Sequence, residues 1–351
     1  MTEQPPSQVT IYDVAKAAGV APSTVSRTFA RPGRVNADTA ARIRQVAEEL
    51  GYRANPIGQA LATSQTKLLG LMVSDVANPF YSQLIRGAQL AATEAGYELL
   101  LADCRESGTR ERTALERLIP VVEGFVIGSS RMSDSALRNI AKQRPMVVLN
   151  RALLDVPSVV TDNASGIRAA VNLLRETGHD SVVYVAGPEA SWPDGVRFRA
   201  LRDLGTKAGM NTHKIGPFLP TFEGGLAAAR TLLEKPPTAV IAYNDLMAIG
   251  VMHGFLREGI AVPEQVSVVG FDDILISRLT IPTLTTVAAP MKQMGVTAVK
   301  NVVAIINGAK PRSTEPMVMP VQLKVRGSTG QRRRKRVSPA LGTTMVSGSA
   351  S

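Results

Sequence analysis

The stretch Thr10-Ile11-Tyr12-Asp13-Val14-Ala15-Lys16-Ala17-Ala18-Gly19-Val20-Ala21-Pro22-Ser23-Thr24-Val25-Ser26-Arg27 decides how the rest of the chain is read. Ile11, Val14, Ala15 and Ala18 follow the i, i+3, i+4, i+7 spacing of one buried helix face. Thr10 is an N-cap, and Asp13 three residues on gives the pattern of a capping box. Gly19 permits a sharp turn. Pro22 suits the first position of a second helix, where its missing N–H has no helical partner to lose. That helix is expected to reach Thr28 or Phe29, ahead of Arg31-Pro32-Gly33. Asn36 caps a third helix ending near Leu50, with Ala40, Ile43, Ala47 and Leu50 inward and Gly51 as its stop. Two short helices around a glycine turn, backed by a third, make the helix-turn-helix plan. The outward residues of the second helix are small or polar, so Ser23, Ser26 and Arg27 can reach phosphates or base edges without filling a groove. A small helical bundle with a solvated face shares this periodicity.

Working outward, residues 52–62 read as a linker, with a short helix after Asn55-Pro56. Such a helix is too short to persist alone in water and is expected to form on DNA or against a partner copy. From Leu68 the rhythm changes to short β-branched runs: Leu68–Val73, Tyr97–Ala102, Gly124–Ile127, Met146–Leu149, Ser158–Val160, Val182–Ala186, Ala239–Ala242 and Val266–Gly270. Amphipathic segments such as Tyr81–Ala95, Ile167–Thr177, Phe198–Lys207 and Leu246–Glu258 separate them. That alternation predicts βαβ units and two parallel sheets, with ligands bound beyond the carboxyl ends of the strands in a cleft. The Gly/Ser/Arg-rich end cannot bury a core and is expected to be disordered. The expected division is a headpiece at 1–53, a hinge and linker at 54–66, a ligand-binding and dimerisation domain of two subdomains at 67–326, and a disordered basic tail at 327–351.

Composition narrows the function. The chain has 351 residues and a net charge of +11. Residues 1–67 carry +3, residues 310–351 carry +8 and the stretch between is neutral, so only the two ends attract polyanions. No run of 18 apolar residues exists and Met1–Gln8 is polar, so neither a membrane span nor a secretory signal is expected. The single Cys104 suits a reducing cytoplasm and reads as a structural thiol. No metal-ligand spacing, phosphate-binding glycine loop or nucleophile elbow is present, so no metal, cofactor or catalytic residue is expected. An enzyme on the same scaffold is one rival reading. A periplasmic-type sugar carrier is another, and residues 1–62 argue against it.

Val9 to Val20 and Ser23-Thr24-Val25-Ser26-Arg27, continued by Val35, Thr39, Arg42, Ile43, Leu50-Gly51-Tyr52 and Asn55-Pro56, resemble the headpiece of the lac-repressor-like (LacI/GalR) family. Asn78-Pro79-Phe80-Tyr81, Asp162-Asn163, Gly178-His179, Ala242-Tyr243-Asn244-Asp245 and Gly270-Phe271-Asp272-Asp273 extend the resemblance over nearly all of residues 9–326. It implies a helix-turn-helix headpiece joined to a sensor of periplasmic-binding-protein type. It implies a dimeric repressor on a palindromic DNA operator, controlled by a small molecule, most often a sugar, that acts as inducer or co-repressor. Pro22, Ser23 and Arg27 would occupy base-reading positions. Tyr12, Thr24, Ser26, Asn36 and Asn55 would hold phosphates, and Leu61 would wedge into the minor groove. The small Gly58 suits close approach of two hinge helices there but weakens each helix. The matching effector positions are Phe80, Tyr81, Asp162, Arg199, Phe222, Asn244 and Asp272, with Trp192 as a further candidate. Carboxylate, amide and guanidinium pair with hydroxyls, while aromatic rings cover an apolar sugar face.

Overall fold

The computed structural model describes residues 9–31, 33–53, 65–310 and 315–332. The expected hinge helix, with Asn55, Gly58 and Leu61, lies outside the described residues, as does the basic run from Arg333.

The first elements are α1 (Ile11–Ala18), α2 (Pro22–Ala30) and α3 (Ala37–Glu49). The backbone N–H and the hydroxyl of Thr10 both donate to Asp13 Oδ2, at 2.8 and 2.6 Å. These bonds, the side-chain one first, hold the Asp13 carboxyl below its ordinary pKa. Gly19 closes α1 at φ +63°, a conformation costly for any residue with a Cβ. Val14, Ala15, Ala18, Val25, Ile43 and Ala47 meet in one core, with Phe29 and Tyr52 packed against it.

In the next part of the chain, β1 (Leu68–Val73), β2 (Glu98–Asp103), β3 (Gly124–Gly128), β4 (Met146–Leu149) and β5 (Ser158–Thr161) alternate with α4 (Phe80–Glu94), α5 (Gly108–Leu118) and α6 (Asp134–Ala141). Then α7 (Asn163–Glu176), β6 (Ser181–Val185), α8 (Trp192–Ala208), β7 (Asn211–Ile215), α9 (Phe222–Leu233), β8 (Ala239–Ala242), α10 (Asp245–Arg257), β9 (Ser267–Asp272) and β10 (Thr285–Ala288) follow. After α11 (Met291–Ile306) the chain adds one short strand to each sheet, β11 (Met317–Met319) and β12 (Gln322–Lys324).

Two compact units result. One holds the described residues up to Asp162, Ala190–Pro193 and the described residues of 290–320; the other holds Asn163–Glu189, Asp194–Ala289 and the described residues from Val321 on. The first unit's sheet runs β11-β5-β4-β3-β1-β2, parallel throughout. The second runs β12-β10-β9-β8-β6-β7, parallel except where β12 meets β10. Central strands β3, β4, β5 and β8 are buried along their whole length, which is why they read as unbroken apolar runs. Helices α9 and α10 pack backbone to backbone. A Cβ on Gly225 would lie 2.2 Å from Met247 O, and one on Gly250 2.2 Å from Phe222 O.

The expectation of disorder from residue 327 is corrected here. Ser328 is fully buried, its Oγ donating to Val268 O at 2.6 Å and accepting from Thr285 N at 2.8 Å. Gly330 N donates to Ser267 Oγ at 3.1 Å, and Arg332 N donates to Thr177 O at 2.8 Å. Arg332 also forms an ion pair with Asp180. Glycine and serine look like linker in sequence, but here they supply polar partners to the amino ends of β9 and β10 and their flanking loops.

His179 ties this return segment down. Its ring nitrogens lie 3.1 Å from Thr238 Oγ1 and 3.0 Å from Ser267 Oγ, and the second is 3.3 Å from Gly330 O. Burial first, then the Arg332 charge, lowers its pKa below the ordinary 6.5, against the pull of the Gly330 carbonyl. The unfolded chain therefore binds the proton first as pH falls. The stability this residue contributes is full above about pH 6.5 and is lost as pH drops through the folded value. The buried carboxyls of Asp245 and Asp272 are raised and act in the opposite sense. The expected result is thus a difference between two proteins: between pH 7.5 and 5.5, wild type loses more urea resistance than His179→Gln. Equal losses would remove His179 from the account.

Candidate functional site

Two sets of residues carry chemistry, and the first is the outer face of α2. Val25 and Thr28 are buried against the headpiece core, which turns Pro22, Ser23 and Arg27 to solvent together. Thr24 and Ser26 are half-buried at the flanks of that face. Ala21 offers no side-chain cap, so the first amides of α2 have no side-chain partner at the helix start. Tyr12 is 70% exposed on α1. Asn36 is exposed and caps α3, its Oδ1 accepting from Asp38 N at 2.9 Å. Its amide nitrogen keeps the donors that a phosphate would take.

The second set lies at the carboxyl ends of the strands. In the first unit, Phe80 is half-buried at the start of α4 and meets Tyr81 edge-on, centroids 5.0 Å apart. Tyr81 is buried and its hydroxyl hydrogen-bonds with Ser129 and Ser74, so it anchors the ends of β1 and β3 rather than offering an open face. Burial pushes its pKa up. Asp162 and Trp192 are half-buried, at the end of β5 and the first position of α8. Cys104, just past β2, is buried, and burial together with Glu111, Asp103 and Glu106 pushes its thiol up to about 12. It stays protonated and inert.

In the second unit, Arg199 and a neighbouring arginine on α8 face opposite ways. Arg199 is exposed on α8, whereas Arg197, two residues earlier, is buried. Arg197 Nε donates to Asn163 Oδ1 at 2.8 Å and NH1 donates to Tyr243 O at 2.5 Å. Its guanidinium stacks 3.5 Å from the Phe271 ring centroid and 5.3 Å from that of Tyr243. Two residues along a helix is about 200° of rotation, enough to exchange the inward and outward faces. Asn244 is buried at the N-cap of α10, its amide accepting from Met247 N and donating to Pro220 O, both at 2.9 Å. Phe222 is half-buried at the start of α9 with its ring 5.5 Å from His253.

Asp272 ends β9 with φ +122°, and Asp273 follows at +56°. A non-glycine residue keeps such a backbone only where its surroundings hold it, and such strain gathers at functional sites. Burial drives the Asp272 carboxyl well above its ordinary pKa, the Asp245 charge adds to this, and Arg197 opposes it. Asp245 accepts from Ile274 N at 3.0 Å and from Thr286 Oγ1 at 2.5 Å. Asp194, buried, accepts from Tyr184 Oη at 3.0 Å, Gly187 N at 2.8 Å and Lys214 Nζ at 3.1 Å. It fixes the loop after β6. The second unit thus brings Asn163, Arg197, Phe271 and Asp272 together, a guanidinium and a carboxylate beside an aromatic floor. Sequence reasoning named only Asp272 of these as a site residue. Asn163 had stood out as a landmark, but nothing in spacing separates Arg197 from Arg199. Among the described residues no group of three or more His, Cys, Asp or Glu is placed to hold a metal.

Residues 10–55 match the family described as bacterial regulatory proteins, lacI family, and residues 171–329 match the periplasmic binding protein-like domain. The transcriptional repressor CytR of Escherichia coli (strain K12) is 33% identical over 330 residues, covering 91% of this chain and 96% of the relative. A crystal structure of the lac repressor dimer bound to operator and the anti-inducer ONPF superposes with a TM-score of 0.82 at 27% identity, covering 92% of this chain and 99% of that one. A LacI family regulator from Enterococcus faecium with bound ribose gives 0.67 at 26% identity, covering 76% and 100%.

Proposed function

The chain belongs to the lacI family of bacterial regulatory proteins, and from that premise we propose that it is a repressor whose headpieces read a palindromic operator as a dimer while its sensor units bind a sugar. The observation that carries the DNA half is the solvent face of α2, where Pro22, Ser23 and Arg27 stand together above a packed core. Arg27 takes guanine O6 and N7 in a bidentate bond, Ser23 and Pro22 set the fit to neighbouring bases, and Tyr12, Thr24, Ser26 and Asn36 hold phosphates. Asn55 holds a further phosphate, and Leu61 wedges into the minor groove. For the sugar, Arg197, Asn163 and Asp272 supply hydroxyl partners in the second unit with Phe222 beside them, and the first unit's candidates are Phe80, Asp162 and Trp192. The sugar changes DNA affinity only by binding the two arrangements of the protein unequally. The protein works in the cytoplasm and transforms no substrate. In support, a relative covering 91% of this chain is a transcriptional repressor.

The test is Arg27→Ala. The expected loss is about 1–3 kcal/mol against the operator and far less against scrambled DNA, because only the base contact is removed. A gel-shift or fluorescence titration at one salt concentration measures both. An equal loss on both duplexes would make Arg27 a phosphate contact.

A further inference from the structure

Four residues other than glycine hold a left-handed backbone where the strands of the first unit end. Arg105 and Glu106 follow β2 at φ +47° and +56°, Ser129 follows β3 at +53°, and Asn150 follows β4 at +55°. Such residues cost free energy and persist only where their neighbours over-determine them. Here the neighbours converge on Ser129. Its carbonyl accepts from Ser74 Oγ at 2.6 Å, its Oγ accepts from Asn150 Nδ2 at 3.2 Å, and its side chain hydrogen-bonds with Tyr81. Ser74, Tyr81, Ser129 and Asn150 are all buried.

Arg131 fastens this group. Its NH1 donates to the same Ser129 carbonyl at 2.9 Å, and its Nε donates to Glu106 Oε2 at 2.6 Å. The pair is nearly closed to water, the arginine side chain 5% exposed and the glutamate 18%. Glu106 N donates in turn to Ser74 O at 2.6 Å. The backbone of Arg131 is itself fixed, its N donating to the buried Glu111 at 2.9 Å. One guanidinium thus ties the loop after β2 to the loop after β3, and Ser74 joins both to the end of β1. A planar fork with donors at fixed angles suits that task, which a point charge on a flexible stem does not reproduce. The route to a ligand candidate is short, because Ser129 bonds Tyr81 and Tyr81 meets the Phe80 ring edge-on at 5.0 Å.

We propose that Arg131, paired with Glu106, is a positioning residue of the sugar site: through Ser129 and Tyr81 it sets where the Phe80 ring stands at the carboxyl ends of the first unit's strands. The proposal rests on the sugar-binding reading above and adds to it a residue that touches no sugar. With the tie cut, Ser129 and Glu106 relax toward ordinary backbone and the Tyr81–Phe80 pair shifts with them. A binding group held loosely by its supporting residues loses affinity although it is still present. The headpiece packs around its own core and keeps its DNA face.

The test is the sugar concentration that half-changes operator binding by the full chain, measured with ribose, other pentoses and cellobiose. Arg131→Met should raise that midpoint about tenfold, the loss of one well-placed contact, and leave operator affinity without sugar at the wild-type value. Arg131→Lys keeps a charge against Glu106 but not the fork, and should recover part of the loss. Glu106→Gln keeps an acceptor for Nε and removes only the charge, for an expected rise of about threefold. Hydrogen exchange at the Glu106 and Ser129 amides should quicken in Arg131→Met, with second-unit amides unchanged. Arg138→Met, a half-buried arginine of α6 outside this group, should change none of these. A wild-type midpoint in Arg131→Met, or in Glu106→Gln where the methionine variant does not fold, would overturn the positioning role and leave the sugar reading standing. So would an equal shift in Arg138→Met. A wild-type chain that neither responds to nor binds any sugar of the panel would overturn both.

Discussion

Arg197→Met should leave operator binding intact and raise the sugar concentration needed to change it by at least about 100-fold, a little under 3 kcal/mol at about 1.4 kcal/mol per decade. Methionine keeps much of the volume and its contact with Phe271, so the loss is chiefly electrostatic. Asn163 Oδ1 and Tyr243 O each lose a charged guanidinium donor, a kind of hydrogen bond worth about 1.5–3 kcal/mol. Asp272, already raised by burial, loses the one cation that opposes protonation. The assay is release or recruitment of DNA across a panel containing ribose, other pentoses and cellobiose, with Arg199→Met as the internal control. The exposed Arg199 should change little. If the two variants behave alike, the assignment of the site to Arg197 fails.

The second large effect concerns stability. Gly250→Val should cost at least about 3 kcal/mol, at the upper end of overpacking, because the added Cβ meets backbone and not a side chain that can rotate away. Phe222 O lies 2.2 Å from that Cβ and Gly225 Cα 2.8 Å, so α9 and α10 must separate. Separation opens the core around Met247, Val251 and Phe255, three residues buried almost completely. It also displaces Phe222, placing a ligand candidate on a moving helix. Thermal unfolding measures the cost. Gly254→Ala is the milder comparison: its Cβ would have a single close contact, Ala229 Cβ at 2.4 Å, where Gly250 has three backbone atoms within 2.9 Å. A wild-type melting temperature for Gly250→Val would mean that α9 and α10 do not pack as described.

The headpiece was the most legible part of the sequence because its signals are local. Thr10, Gly19, Pro22 and Asn36 mark helix ends through their own backbone preferences, and all four stand where those preferences place them. The buried strands were legible for a different reason: covered on both faces, they cannot carry polar residues. Edge strands lack that constraint. β7 reads Asn-Thr-His-Lys-Ile, half exposed, and escaped detection. So did β10, β11 and β12, each of four residues or fewer. The site was harder still. Whether Arg197 or Arg199 faces inward depends on helix phase to within one residue, which tertiary packing sets. Asn244 caps α10 with the same amide chemistry that binds hydroxyls, so residue type alone does not separate the two uses.

The most direct test of the central claim is a titration of the full chain against a palindromic DNA fragment and a scrambled duplex of equal length and charge, at one salt concentration. The account predicts one dimer per palindrome, bound at least about 1,000-fold more tightly than the scrambled duplex, with affinity that falls steeply as salt rises. Equal affinity for the two duplexes, with the same salt slope, would mean that the chain holds DNA through charge alone and that α2 reads no bases.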